Sequence, residues 1–89
     1  MNDLNSVLIE GTVHGDINIV NGAARFKIIS RHSIEQEMVG EIFDIMAYGN
    51  IAAICHDALK HGKRIRAIGT LRHESLGIAI VADHVDIRG

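Results

Sequence analysis

The lysines and arginines of this 89-residue chain are the residues best placed to do chemistry, and that chemistry is the neutralisation of anions. Eight of the nine fall in two short segments. Arg25, Lys27 and Arg31 form one; Lys60, Lys63, Arg64, Arg66 and Arg72 form the other, with no Asp or Glu between 60 and 72. The first 24 residues carry no Lys or Arg. Side by side, the two segments would make a locally positive surface on a chain of net charge -2, and a polyanion would feel it. Two solvated strand faces would carry the same charges, so charge alone leaves both readings open. Tyr48, the single tyrosine, offers either a ring for base stacking or a packed residue at a helix start.

Other chemistries lack their residues. Six histidines are present, but His56 and His61 are five apart, off a common helix face, and the only cysteine is Cys55. That does not make a zinc motif, and no metal or other cofactor is expected. Cys55 beside His56 is no nucleophile pair, because adjacent helical residues face apart. No paired carboxylates stand out, and no strand leads into a phosphate-binding Gly loop. The chain is therefore expected to be non-catalytic. One cysteine excludes an internal disulfide and fits a reducing, cytoplasmic setting. No apolar run approaches ~20 residues, so no membrane span is expected. The first five residues have no signal-peptide character. An apolar fraction of 47% supports a buried core rather than disorder.

Five strands and one helix must position these groups. Ser6 to His14 alternates as a strand, with Gly11 marking a bulge or bend and Gly15-Asp16 a break before Ile17 to Val20. Asn21-Gly22 is a hairpin turn. Ala24 to Arg31 is the second strand, with Arg25, Lys27, Ile29 and Arg31 on one face. The polar stretch 32–40 reads as a loop, and Glu41 to Tyr48 as the third strand. Asn50 is placed to cap a helix whose apolar stripe is Ile51, Ile54, Cys55, Ala58 and Leu59, with Gly62 as its closing glycine. Arg64 to His73 is the fourth strand, carrying Arg64, Arg66 and Arg72 on one face; Ile78 to Ile87 is the fifth. Leu8, Ile42, Met46, Ile68 and Ile80 fall opposite the core, which points to an interface and a homo-oligomer. The order predicts an all-β fold with one helix: an OB-fold, a five-stranded Greek-key barrel with its helix between strands 3 and 4.

In register with that order, Asn5-Ser6-Val7-Leu8-Ile9-Glu10-Gly11-Thr12-Val13 resembles the opening strand of bacterial single-stranded DNA-binding proteins. Met46-Ala47-Tyr48-Gly49-Asn50-Ile51-Ala52 resembles their strand-to-helix junction. Leu59-Lys60-His61-Gly62-Lys63-Arg64-Ile65 and Ile68-Gly69-Thr70-Leu71-Arg72 resemble the helix exit and fourth strand. The resemblance covers nearly the whole chain. It implies single-stranded DNA as partner, a role in replication, repair and recombination, and assembly as a homodimer or homotetramer with first strands pairing between protomers.

The chain also departs from that pattern. The usual stacking positions hold Ile34, Ile42 and Leu76, leaving only Tyr48 aromatic, and Asp44 stands on the strand-binding face. The connection between strands 4 and 5 is only a few residues, and the sequence stops at Arg88-Gly89 without the family's linker and acidic tip, so 1–89 is expected to be one OB unit. The first reading is single-stranded DNA binding, with Arg25, Lys27, Arg31, Arg64, Arg66 and Arg72 on phosphates, Tyr48 under a base, and Ile34, Ile42, Met46 and Leu76 in apolar contact. RNA is an alternative ligand. The competing reading is an oligomerisation or adaptor module, like the primosomal proteins of the same descent, that has lost strong strand binding.

Overall fold

The computed structural model describes residues 3–88. Strands β1 (Val7–Val20), β2 (Ala23–Ile34) and β3 (Glu37–Tyr48) precede helix α1 (Gly49–Ala58), and β4 (Arg64–Glu74) and β5 (Gly77–Arg88) follow. They close into a barrel of order β1-β2-β3-β5-β4. Every pairing is antiparallel except β3 with β5, which is parallel and spans only Ile45↔Ile80 and Met46↔Val81. This is the OB-fold the sequence predicts.

β1 serves two neighbours in turn. Residues 7–12 pair with β4 and residues 12–20 with β2, so Thr12 faces both Arg64 and Ile29. Gly11 permits that switch: a Cβ there would lie 2.7 Å from the Ile29 carbonyl oxygen, closer than any side chain tolerates. The ladder is extended at both ends. Val13 N–H donates to the Lys63 carbonyl and Gly62 N–H to the Val13 carbonyl, each at 2.8 Å. At the other end the Asn5 amide acts as a backbone unit, donating to the Leu71 carbonyl and accepting from Leu71 N–H, both at 2.9 Å.

The inner faces supply the core: Val13, Ala24, Phe26, Ile28, Ile45, Ala47, Ile65, Ala67, Ile80 and Ala82, plugged at one end by Ala52, Cys55 and Leu59. A smaller cluster of Ala23, Met46 and Ala79, with Val81 against it, lies across the β3–β5 seam.

Several expectations are corrected. The stretch 32–40 is not a loop; both strands continue through it to a turn at Glu35-Gln36, whose φ values of 50° and 70° put two non-glycine residues in the left-handed region. The paired positive φ is what a two-residue hairpin needs to match strand twist, and Asn21-Gly22 meets it with more suitable residues. β1 does not break at Gly15-Asp16 but bulges between His14 and Asn18. The cap of α1 is Tyr48, in extended conformation and without a side-chain cap bond, so Asn50 is inside the first turn rather than the cap. The helix ends at Ala58 with Leu59 as C-cap, leaving Gly62 beyond it in the turn into β4. Ile54 is 52% exposed and not part of the plug, because the helix turns the face of Ala52, Cys55 and Leu59 inward.

Met46 and Ile80 are buried, not exposed. Ile80 is carried inward by a register shift: Ile68 pairs with His84 but Gly69 with Ala82, so Asp83 is an extra residue. The shift flips the alternation of β5, keeping even-numbered Ile80 and Ala82 inside before it and odd-numbered Val85 against the core after it. Gly69 sits at this point because a Cβ there would run into the Val81 carbonyl oxygen. Met46 does face away from the barrel interior, but Ala23 and Ala79 flank it and Val81 covers it, leaving 3% exposed.

Candidate nucleic-acid interface

The outer face of β2 and β3 is set by their register. Arg25 pairs with Met46, Lys27 with Asp44, Ile29 with Ile42 and Arg31 with Gly40, so these residues share one surface. The outer face of β4 carries Arg64, Arg66 and Ile68, opposite Thr12, Glu10 and Leu8 of β1. Because β1 switches partner at Thr12, the two basic segments meet across it: Arg31 and Arg64 line one groove of about 440 Å³ with Leu8, Glu10 and Ser30. A second, larger groove of about 700 Å³ runs from the β1 bulge over β2 and β3 to the β4–β5 turn. Arg25, Lys27, Asp44, Met46, Glu74 and Leu76 are among its walls.

Charge in these grooves is partly spent on carboxylates. Glu74 takes Arg25 in a two-bond fork at 2.9 and 3.1 Å, tying the β4–β5 turn to β2. That hydrogen bond raises the Arg25 guanidinium above its usual value. Asp44 pairs with Lys27 directly across the rung. Glu10 accepts from Arg66 at 3.1 Å and lies 3.9 Å from Arg64, which also reaches Thr12 Oγ1 at 3.4 Å. The Arg66 Nε is buried without a partner among the described residues. Arg31 and Arg72 are exposed and make no ion pair among the described residues. Such solvent-screened pairs contribute little to stability, so their weight here is on the surface potential.

The proposed apolar contacts divide. Tyr48 ends β3 at 48% exposure, on the face of Met46, and Ile42 is 57% exposed on the same strand. Ile34 and Leu76 are exposed at the tips of the β2–β3 and β4–β5 hairpins. Met46 lines the floor of the larger groove but, being buried, offers almost no surface for a base. Glu74 escapes sequence reasoning because it is 49 residues from Arg25, and no local signal brings them together. The same holds for His61, whose Nδ1 accepts from Gly15 N–H at 2.9 Å and whose ring lies 5.4 Å from that of His14, fastening the β1 bulge to the turn after α1.

No family model matches the sequence, and no curated protein matches it. Solved structures do match it. A small single-stranded DNA-binding protein from Streptomyces coelicolor superposes with a TM-score of 0.80 at 17% identity, covering 100% of this chain and 99% of that one. The chain shares the single-stranded DNA-binding protein fold. A Plasmodium falciparum single-stranded DNA-binding protein, solved in complex with single-stranded DNA, superposes with a TM-score of 0.79 at 19% identity, covering 100% of this chain and 98% of that one. As an OB-fold of this type, the chain has the closed barrel with its helix between β3 and β4. No helix among the described residues is long and apolar enough to cross a membrane.

Proposed function

We propose that this OB-fold binds single-stranded nucleic acid without catalysis, DNA first and RNA as the alternative. The observation that carries the reading is the convergence of both basic segments on one surface: Arg31 of β2 and Arg64 of β4 line the same groove across β1. On a barrel shared with a protein solved on single-stranded DNA, that placement suits a backbone track. Arg31 and Arg72 would meet phosphates directly; Arg25, Lys27, Arg64 and Arg66 would do so by exchanging their carboxylate partners. Tyr48 would stack one base, and Ile42, Ile34 and Leu76 would give apolar contact. With one ring, affinity rests on counterion release more than on stacking. The span 1–89 acts as one such unit, as a homo-oligomer in the cytoplasm, where single strands are exposed in replication, repair and recombination.

The test is the affinity of a labelled oligonucleotide of ~30 nucleotides as salt is varied, since log K falls with log salt by about 0.7 per phosphate contact. A slope of two or more supports strand binding, and affinity weaker than about millimolar at low salt ends it. The second reading, an oligomerisation or adaptor module, is favoured by one observation: Glu74, Asp44 and Glu10 occupy four of the six arginines and lysines assigned to phosphates. It requires that oligonucleotide binding be undetectable at moderate salt while substitutions in the same surface alter assembly.

A further inference from the structure

The two-bond fork between Glu74 and Arg25 lies in the lining of the larger groove, joining the end of β4 to β2. A carboxylate accepting both arms of a guanidinium presents two oxygens where a phosphate would present two. Met46, on the rung beside Arg25, lines the groove beneath and is closed to solvent. The next rung on this face carries a single-bonded pair, Asp44 on Lys27.

We propose that Glu74 is a built-in phosphate mimic that holds Arg25 and must be displaced when nucleic acid enters the groove, so that it sets the affinity of the strand-binding surface proposed above, a reading on which this inference rests. The exchange is balanced in charge: one anionic partner of Arg25 leaves as another arrives. Binding at Arg25 therefore neutralises no additional positive charge, because the released Glu74 carboxylate gathers a cation where the phosphate gives one up. A wild-type complex should thus show a salt slope smaller than its phosphate contacts would give. It also follows that a weak polyanion is turned away at this position, while a strand held elsewhere by Arg31, Arg64 and a stacked base can complete the exchange.

The experiment measures binding of a ~30-nucleotide single-stranded DNA across a salt series by the wild type, Glu74→Gln, Arg25→Ala, the double variant, and Glu41→Gln. Glu41 is an exposed carboxylate on β3 without an ion pair among the described residues, so its substitution removes one negative charge and frees no arginine. Glu74→Gln should bind about two- to fivefold more tightly at low salt, the range a partly exposed ion pair commands, with a slope steeper by about 0.7. Glu41→Gln should change neither beyond a small uniform shift, and the gain from Glu74→Gln should vanish in the Arg25→Ala background. If the wild type binds and Glu74→Gln binds no better, or if Glu41→Gln gives the same gain, the mimic is overturned while strand binding stands. If neither the wild type nor Glu74→Gln binds at low salt, strand binding fails and the mimic fails with it. If only Glu74→Gln binds, the strand cannot displace Glu74, so strand binding by the wild type fails and the displaceable mimic fails with it.

Discussion

Tyr48 and Arg31 separate the two physical contributions that strand binding needs, and each has its own signature. Stacking carries no counterions, so Tyr48→Ala should cost roughly 1–3 kcal/mol of binding with the salt slope unchanged. Arg31 has no carboxylate partner among the described residues, so Arg31→Ala should lower the slope by about 0.7 for every sequence alike. The paired measurement, affinity and slope for both variants, checks the division; a loss of slope in Tyr48→Ala would contradict it. Cys55 is different chemistry at the same scale. Its side chain is fully buried and burial pushes its thiol up from the ordinary value, so at pH 8 it stays protonated and shielded. Alkylation by iodoacetamide should be far slower in the folded protein than in denaturant, and the rate should follow unfolding. Rapid alkylation of the native chain would mean that the plug under the barrel is open.

Among the elements, α1 makes the sharpest stability test. Leu59 is 3% exposed and closes the barrel end, so Leu59→Ala should cost about 2–5 kcal/mol in denaturant unfolding. Ile54, half outside, should cost about 0.5 kcal/mol or less when cut to Ala. The β2–β3 turn offers the opposite sign. Glu35 and Gln36 both sit at positive φ, where Asn-Gly is the favoured pair, so Glu35→Asn with Gln36→Gly should stabilise the protein by about 1 kcal/mol in the same assay. Glu-Gln at this turn is also why the hairpin was hidden in the sequence: nothing about those residues announces a turn, and the polar run around them reads as loop. Alternation made β2, β3 and β4 legible, together with the shared face of Arg25, Lys27 and Arg31. The inward Ile80 was illegible because a single extra residue, Asp83, reverses the parity of β5, and a bulge leaves no mark in an alternating pattern. Ile54 looked equal to Cys55 on a helical wheel; only the rotation of the docked helix, which turns Ala52, Cys55 and Leu59 inward, distinguishes them. The carboxylates on the basic residues were missed because three of the four pairs join residues far apart in sequence, Arg25 with Glu74 and both Arg64 and Arg66 with Glu10.

At the scale of the whole molecule, apolar surface remains that the barrel does not cover. Leu8 is 65% exposed beside Ile68 on the β1–β4 face, outside the Arg25 groove and at the wall of the Arg31–Arg64 groove. Sedimentation at micromolar concentration should show a dimer or tetramer, and Leu8→Glu should shift it toward the 9.7 kDa protomer without abolishing cooperative melting. A wild-type protomer that runs alone would leave assembly on this face without support. The closure of the barrel has a consequence in time. Its least local joints are β1 with β4, where Val7 meets Gly69, and the two-rung parallel seam of β3 with β5. Both require distant parts of the chain to be brought together before any contact compensates the lost entropy, which slows folding relative to a helical bundle of equal length. The β2–β3 hairpin, with twelve consecutive rungs and a two-residue turn, can assemble without waiting for either. A chain emerging from synthesis would therefore carry its Arg25–Arg31 face early, before the strand that supplies Glu74 has docked: for a short interval the nascent barrel is more basic toward its surroundings than the finished one.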